Sequence, residues 1–351
     1  MKKRKKSSGL VGLDIGSSSI KAVELRLHNG HYELSNLAVG ELNPDTIVDG
    51  AIMDAPSVSG VIENIFTGNK IASSQVATSV SGHSVIVKRI AVGASNEEEL
   101  ELAIQQEALQ NIRFDLDEVN LNYYVLGPSA ANMLDVLLLA VKKEKIQGHT
   151  NAIALANKTP VVIDIDAFAL QNAFEVNYDP PPDQTIALLN IGASIMNIDV
   201  TRGGMPLFTR DVSVGGNQYT DILQKELDLS FDDAEKLKMG GELPNITPDV
   251  AAPHLRSVSE LLLLEIQKTF DFFRHTTSAE SIHAIYVGGG TARIKGLCDL
   301  LRTEFEIPVE IIDPFRKVHS NPGMFDSSFI AELAPRMTIA VGLALRSFDA
   351  A

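Results

Sequence analysis

Residues 11–25 read VGLDIGSSSIKAVEL, and the reading of this stretch decides the fold. Apolar residues lead into Asp14 and Gly16, three serines follow, and Ile20, Ala22, Val23 and Leu25 are interleaved with Lys21 and Glu24. Alternation of that kind marks a strand. The stretch therefore reads as a β-hairpin with Gly16, Ser17, Ser18 and Ser19 at its turn. Glycine admits tight backbone geometry, and consecutive serines bring hydroxyls and backbone N–H groups to one place. With Lys21 close by, such a tip suits a phosphate, and Asp14 at its mouth suits a hydrated Mg2+. The same four residues also make an ordinary surface turn, so the hairpin alone leaves both readings open.

A second copy changes the balance. Residues 186–200, IALLNIGASIMNIDV, repeat the layout, with Asn190-Ile191-Gly192-Ala193-Ser194 matching Asp14-Ile15-Gly16-Ser17-Ser18 position by position. An internal repeat this far apart points to two similar domains, each offering one hairpin to a shared cleft. Two facing loops can grip a polyphosphate from both sides.

The bulk numbers agree with such a protein. At 351 residues there is chain enough for two cores, and 45% hydrophobic with 21% charged residues is ordinary for a soluble globular protein. No run of about twenty apolar residues occurs, so no membrane span is expected. Val11–Ile15 is too short for a signal segment and holds Asp14, so export is not expected either. A single cysteine, Cys298, leaves no internal disulfide and fits a reducing cytoplasm. Net charge is −15; without the five basic residues at 2–6, 25 Lys and Arg stand against 45 Asp and Glu, a balance of −20. That sign argues against sequence-independent nucleic-acid binding. Residues 1–9 read as a basic disordered tail, either solubilising or a weak tether to anionic lipid.

Taken in order, residues 31–39 form a third strand after the turn Asn29-Gly30, and residues 54–68 have a helical apolar pattern. Residues 74–87 alternate like a strand pair around Gly82. Residues 88–156 change character: an acidic helix at 97–111, strands at 119–125 and 134–141, and a helix at 142–156 read as a small inserted subdomain. The alternative is plain continuation of the first domain. A strand at 160–165 runs into a helix that starts at Asp166, placing Asp164 and Asp166 at a junction suited to aim a carboxylate into a cleft. Residues 179–183, DPPPD, form a linker.

In the second half, Gly215-Gly216-Asn217 opens a helix at 219–227, and a further helix carries Glu235 and Lys238, which by themselves read as a solvated face. Residues 240–253 read as a Pro/Gly loop, 255–275 as a core helix and 313–328 as a loop. At 282–297, IHAIYVGGGTARIKGL, a buried strand ends in Gly288, Gly289 and Gly290, and a helix is expected from Thr291. Backbone N–H groups there can meet an anion or a flat polar ring. Cys298 on that helix reads as packing. A final helix at 335–345 has the small residues Ala340, Gly342 and Ala344 on one face, suited to close packing.

Two phosphate-type hairpins, an acidic strand–helix junction between them and a strand–GGG–helix after them resemble the actin-like ATPase superfamily. The segments GLDIGSSSIKAVEL, IDAFALQNAF, LLNIGAS, YVGGGTARIKGL and MTIAVGLALR resemble, within it, the PilM family of type IV pilus assembly proteins. The resemblance implies an α/β, actin-like two-lobed fold with a duplicated core and a small inserted α+β subdomain. The first lobe is expected at 10–87 and 157–180 with the final helix 335–346 packed back on it, the insert at 88–156, and the second lobe at 181–334.

It also implies ATP or ADP with Mg2+ in the interlobe cleft. Asp14 would serve the metal, with Asn190 through water. Gly16, Ser17, Ser18, Ser19 and Lys21 would take one side of the phosphates and Gly192, Ala193 and Ser194 the other. Gly215, Gly216 and Asn217 would join the site, Glu235 and Lys238 would contact the nucleoside, and Gly288, Gly289, Gly290 and Thr291 would face the adenosine.

The chain departs from the superfamily pattern in two places. Asn190 stands where Asp is usual, and Asp166, the expected catalytic residue, stands where Glu or Gln is usual. An amide brings no negative charge to a metal, and a shorter acid reaches less far toward an attacking water. Hydrolysis is therefore expected to be slow or absent, at most a weak ATPase activity.

The implied role is a cytoplasmic scaffold of type IV pilus biogenesis and twitching motility. It would bind the N-terminal cytoplasmic peptide of PilN in a groove between first lobe and insert, and other inner-membrane assembly proteins indirectly. With no terminal amphipathic helix expected, attachment to the inner membrane would run through the partner. The alternatives are a small-molecule kinase of the same superfamily and a filament-forming FtsA-like protein.

Overall fold

The computed structural model describes residues 9–129, 133–244, 246–277 and 281–348, so nearly all of the basic tail lies outside the described residues. β1 (Val11–Ile15), β2 (Ser19–His28) and β3 (His31–Glu41) form an antiparallel meander. Two short strands, β4 (Ile47–Val48) and β5 (Ala51–Ile52), lead into α1 (Ala55–Gly68). Asp54 caps this helix by accepting from the Ser57 N–H at 3.0 Å, satisfying one free donor of the first turn. β6 (Gln75–Val80) then lies parallel to β1.

Next come β7 (Val85–Val92), α2 (Glu97–Asn111), β8 (Val119–Pro128), β9 (Leu134–Lys142) and α3 (Lys143–Leu155). β10 (Thr159–Ile165) returns parallel to β6 and runs directly into α4 (Asp166–Asn177).

The second half repeats the plan. β11 (Thr185–Ile191), β12 (Met196–Arg202) and β13 (Met205–Val212) form another meander. α5 (Asn217–Leu227), α6 (Phe231–Lys238) and α7 (Pro248–Thr276) follow. β14 (Ala284–Gly288) pairs parallel to β11, and α8 (Leu297–Phe305) joins it to β15 (Val309–Ile311). β16 (Val318–His319), α9 (Ser327–Leu333) and α10 (Thr338–Leu345) complete the described chain.

The two large sheets have the same order. One runs β10-β6-β1-β2-β3-β16 and the other, read from its far edge, β15-β14-β11-β12-β13. In each, a meander starts from a central strand whose other neighbour is parallel. The hairpin pairs also share a register: Asp14 opposes Lys21, and Asn190 opposes Asn197.

The first sheet buries Val58, Ile62 and Phe66 of α1 and Ala152, Ile153 and Ala156 from α3 and its C-cap on one face. On the other face it takes Met337, Val341 and Ala344 against Val23 and Leu25. The second sheet packs Ile198 and Val287 on Leu262, Ile266 and Leu297. Between the sheets, Leu170 and Phe174 of α4 and Ile339 and Leu343 of α10 meet Ala77 on one side and Ile186 and Leu188 on the other.

Several expectations need correction. Residues 74–87 do not form a pair: β6 belongs to the large first sheet and β7 to a separate three-stranded sheet, β7-β9-β8. That sheet begins at Val85 rather than 88, because β7 pairs with β9 from Val85↔Val141 onward, and α2 covers it through Leu100, Ile104 and Ala108. The helix at the far end of the expected insert, α3, instead packs into the first core. The loop at 240–253 ends early, since α7 starts at Pro248 and carries Pro253 inside it, where proline removes one donor near the helix start. The helix expected from Thr291 is a single 3-10 turn, Gly290–Arg293; Gly296 at φ +84° separates it from α8. The loop at 313–328 holds β16, which pairs with Tyr32 and Glu33 of β3. Cys298 is half-buried with its thiol pKa pushed up by burial, in keeping with packing.

The segment Ser327–Phe348 is long and apolar enough to cross a membrane by length and composition, although no unbroken run of about twenty apolar residues lies in it. Here 72% of its apolar window is buried between the sheets. Apolarity on every side of a helix serves a helix enclosed in a core equally well.

The small face of α10 packs as its composition suggests. A Cβ on Gly342 would stand 1.8 Å from the Ala169 carbonyl oxygen of α4, and one on Gly12 would stand 2.1 Å from the Ala340 carbonyl oxygen. Both approaches involve backbone, which has little freedom to give way. Gly342→Ala is therefore expected to lose about 1–3 kcal/mol or more in urea unfolding, although alanine gains about 1 kcal/mol in helix propensity. A more stable variant would contradict the close approach.

Asp199 on β12 is wholly buried, and neither carboxylate oxygen has a hydrogen-bond partner among the described residues. Burial, with Glu175 and Asp211 adding to it, raises its pKa well above the ordinary value of 3.8. The native state thus holds the proton more tightly than the unfolded chain. The resulting stability is complete below the unfolded value and is lost as pH rises toward the folded one, at about 1.4 kcal/mol per pH unit. Asp199→Asn lacks that slope, so its stability relative to the parent protein is expected to rise between pH 4 and pH 8. A difference in unfolding free energy that does not vary with pH would rule out the retained proton.

Candidate functional site

The two hairpin turns and the start of α4 line one cleft of ≈570 Å³, open to solvent. Asp14 and Lys21, opposite each other at the base of the first turn, form an ion pair at 3.2 Å. Burial raises the Asp14 carboxyl pKa, Lys21 opposes the rise, and Asp166, just past the end of β10 in the same sheet, adds to it. Gly16 has no left-handed backbone, and a Cβ there would stand 2.9 Å from Lys21 Nζ, the far end of a flexible side chain that can shift aside. Ser17 and Ser18 line the cleft. Ser19 does not: it is the first residue of β2, wholly buried, and its hydroxyl accepts from the Arg336 guanidinium at 3.1 Å.

The second turn is braced from behind. The Gly192 carbonyl accepts from the Gly216 N–H at 2.9 Å and from the Thr291 hydroxyl at 2.9 Å, and the Ala193 carbonyl accepts from the Asn217 N–H at 2.8 Å. In a trans peptide the N–H points opposite to the C=O. The N–H groups of Ala193 and Ser194 therefore face away from this brace, on the side where both residues line the cleft. The Asn217 amide also donates to the Ser194 hydroxyl at 3.2 Å. Gly215, Gly216, Asn217 and Thr291 thus support the turn from outside the cleft wall.

Gly289 and Gly290 do reach the wall, while Gly288 lies behind it in β14 against Thr338. Gly289 is required twice over, by φ +86° and by a Cβ position only 2.3 Å from the Ile191 carbonyl oxygen. Glu235 and Lys238 stand one layer further out. Lys238 is largely buried, pairs with Glu235, donates to the Thr220 hydroxyl at 2.9 Å and reaches the Gly216 carbonyl at 3.4 Å. A solvated face does not describe it. Burial lowers its ammonium pKa, and Glu235 opposes that.

Asp166, the first residue of α4, accepts from the Ser79 hydroxyl at 2.6 Å and faces the cleft. Asn190 donates to Asn197 Oδ1 at 2.8 Å, and Asn197 donates to Asp211 Oδ1 at 2.8 Å. The ion pair of the first hairpin is therefore replaced by an amide pair at the same register in the second. Asp211 accepts from the Gly82 N–H at 2.5 Å with its other oxygen, and burial pushes its pKa up to about 6 against these two hydrogen bonds.

Sequence reasoning missed Asn197, Asp211, Lys145 and Arg336. Asn197 had a signal, since it stands seven residues after Asn190 as Lys21 does after Asp14. Lys145 of α3 is buried, donates to the Asp49 carbonyl at 3.4 Å and feels Asp166 and Asp211. Arg336 lines the cleft and ties Ser19 and Glu41 of the first sheet to the segment entering α10.

Among the described residues no group of three or more His, Cys, Asp or Glu side chains could cage a metal ion. The donor set still fits Mg2+, which takes one or two protein oxygens and leaves its other positions to water and phosphate. Asp14 and the Asn190 oxygen supply that much.

A family model described as type IV pilus assembly protein PilM matches residues 12–348. The chain is similar to the solved PilM-PilN type IV pilus biogenesis complex, at 27% identity and a TM-score of 0.88 over 97% of this chain and 99% of that one. It shares its fold with the ethanolamine utilization protein EutJ of Carboxydothermus hydrogenoformans, 15% identical, with a TM-score of 0.57 over 96% and 89%. The cell division protein FtsA of Helicobacter pylori is 25% identical over 259 residues, covering 66% of this chain and 51% of FtsA. The match therefore spans about half the length of that relative. The fold is the actin-like one, two lobes with a duplicated core and an inserted subdomain.

Proposed function

Because the chain belongs to the PilM family of type IV pilus assembly proteins, we propose that it is a nucleotide-binding scaffold of pilus biogenesis that takes ATP or ADP in the interlobe cleft. The observation that carries this reading is the pair of hairpins at matched register, facing one cleft with Asp166 between them. Lys21 and the first turn bind phosphate from one side; the Ala193 and Ser194 N–H groups bind it from the other. Gly289 and Gly290 give the adenosine a wall without side chains, and Arg336 adds a cation at the same rim. Lys238, held by Glu235 and Thr220, stands under the start of α5 on the nucleoside side.

Asp14 and the Asn190 oxygen would hold Mg2+, and the ion would offset phosphate charge. Asp166 orients water, yet it is already engaged by Ser79 and is a short acid. Turnover is accordingly slow, since position dominates phosphoryl transfer.

The partner, by the family's implication, is the cytoplasmic N-terminal tail of PilN, and the protein works in the cytoplasm at the inner membrane through it. β10 supports a docking place for that tail. It is the edge strand of the first sheet, and its Val161 and Ile163 are exposed. Beside them Ile165 packs with Val85, Leu139 and Val141 of the three-stranded sheet, so the edge lies along the seam between first lobe and insert. An extended peptide adds to such an edge through backbone hydrogen bonds and fills side-chain pockets at alternate positions.

Titration calorimetry with Mg2+ tests the cleft. The full chain is expected to bind ADP and ATP, Lys21→Ala to lose at least about tenfold in affinity, or 1.4 kcal/mol, and ATP turnover to stay far below the ~10 per second typical of enzymes. Folded protein giving no heat with either nucleotide would end this reading. For the partner, Val161→Glu together with Ile163→Glu is expected to abolish fluorescence-anisotropy binding of a synthetic peptide of the PilN tail. Unchanged peptide affinity would move the groove elsewhere.

A further inference from the structure

The second hairpin presents a neutral amide to the cleft, and an amide has two unlike ends. Which end faces the cleft decides whether Asn190 offers an acceptor to metal-bound water or a donor to phosphate. The structure fixes that choice from a distance. The Gly82 N–H can only donate, so it claims Asp211 Oδ2 as acceptor. An ionised carboxylate only accepts, so Asn197 meets Asp211 Oδ1 with its Nδ2, at 2.8 Å. Asn197 then has its Oδ1 turned toward β11, where Asn190 donates to it from Nδ2, at 2.8 Å. The remaining end of Asn190 is Oδ1. Each step follows from donor and acceptor chemistry, because at pH 8 Asp211 is ionised and the relay ends in a group that cannot donate.

We propose that Asp211 is a positioning residue that, through Asn197, aims the Asn190 carbonyl oxygen into the cleft to accept from the water shell of a nucleotide-bound divalent cation. This rests on the reading of the cleft as a site for magnesium and nucleotide. It gives the acid absent from position 190 a place two strands away, on β13, where it sets the polarity of the relay without touching the ligand. Asp211 also grips Gly82, between β6 and β7, so the same carboxylate fixes both the amide and the loop.

The test inverts the relay. In Asp211→Asn the Gly82 N–H still requires an oxygen, so the new amide meets Asn197 with its NH2 group. Asn197 then turns, and Asn190 must present its NH2 to the cleft. The readout is the ratio of ADP affinities with Mg2+ and with EDTA, measured by calorimetry at pH 8 on the full chain. Asp211→Asn is expected to reduce that ratio at least tenfold. The double variant Asp211→Asn with Asn190→Asp satisfies the inverted relay throughout and is expected to restore it. If Asp211→Asn does not fold, Asn197→Leu cuts the relay one link earlier and is expected to lower the ratio in the same way. A ratio unchanged in either single variant, or a double variant no better than Asp211→Asn, overturns the proposal. Protein that binds no ADP under either condition instead overturns the nucleotide reading. Neutron diffraction of ligand-free crystals then decides the relay alone: deuterium on Asn190 facing Asn197 upholds it, and deuterium facing the cleft refutes it.

Discussion

The separation of the two hairpin turns depends on how closely backbone meets backbone around α10. That helix and α4 fill the space between the sheets, and Gly12 and Gly342 let α10 lie directly on β1 and on α4. Side chains at these positions would push the sheets apart and widen the cleft between Asp14 and Asn190. Protein interiors are close-packed and transmit such displacements rather than absorbing them. The chemistry at the cleft is thus set by two positions that have no polar atom in their side chains.

The hairpins are alike in backbone and unlike in charge. Asp14 with Lys21 is an ion pair, whereas Asn190 with Asn197 is neutral and draws its polarity from Asp211. On the proposed nucleotide reading, one charged jaw and one amide jaw suit retention more than cleavage, because cleavage requires charge to be matched where it develops. On the same reading, the Ser79 hydroxyl bonded to Asp166 would act in that direction by occupying the acid proposed to orient water.

Much of this architecture could be read in the sequence, for a physical reason. Strand alternation, the offset between the two IG motifs and the strand–GGG segment are local patterns, and local patterns survive without knowledge of the fold. The pairing of β7 with β9 rather than β6 is a long-range choice that no local pattern carries, and it sets the start of the three-stranded sheet at Val85. Asp211, Lys145 and Arg336 escaped for the same reason: each is a single charged residue within an ordinary strand, helix or turn. Only the approach to α10 places Arg336 at the cleft, and only β13 and α3 bring Asp211 and Lys145 to the residues behind it. Ser19 shows the converse, a residue in the motif whose hydroxyl serves Arg336 instead of the cleft.

The four residues 81–84 touch nearly every party at once. Gly82 gives its N–H to Asp211, His83 meets the Ser213 hydroxyl at 3.0 Å, the His83 carbonyl accepts from Arg113 at 3.4 Å, and the Ser84 carbonyl accepts from the Lys142 N–H at 3.0 Å. Second lobe, first lobe and insert therefore share one short tether. If the proposed nucleotide and the proposed peptide both bind, thermodynamic reciprocity ties them: by whatever factor one alters the grip on the other, it must be altered in its turn by that same factor.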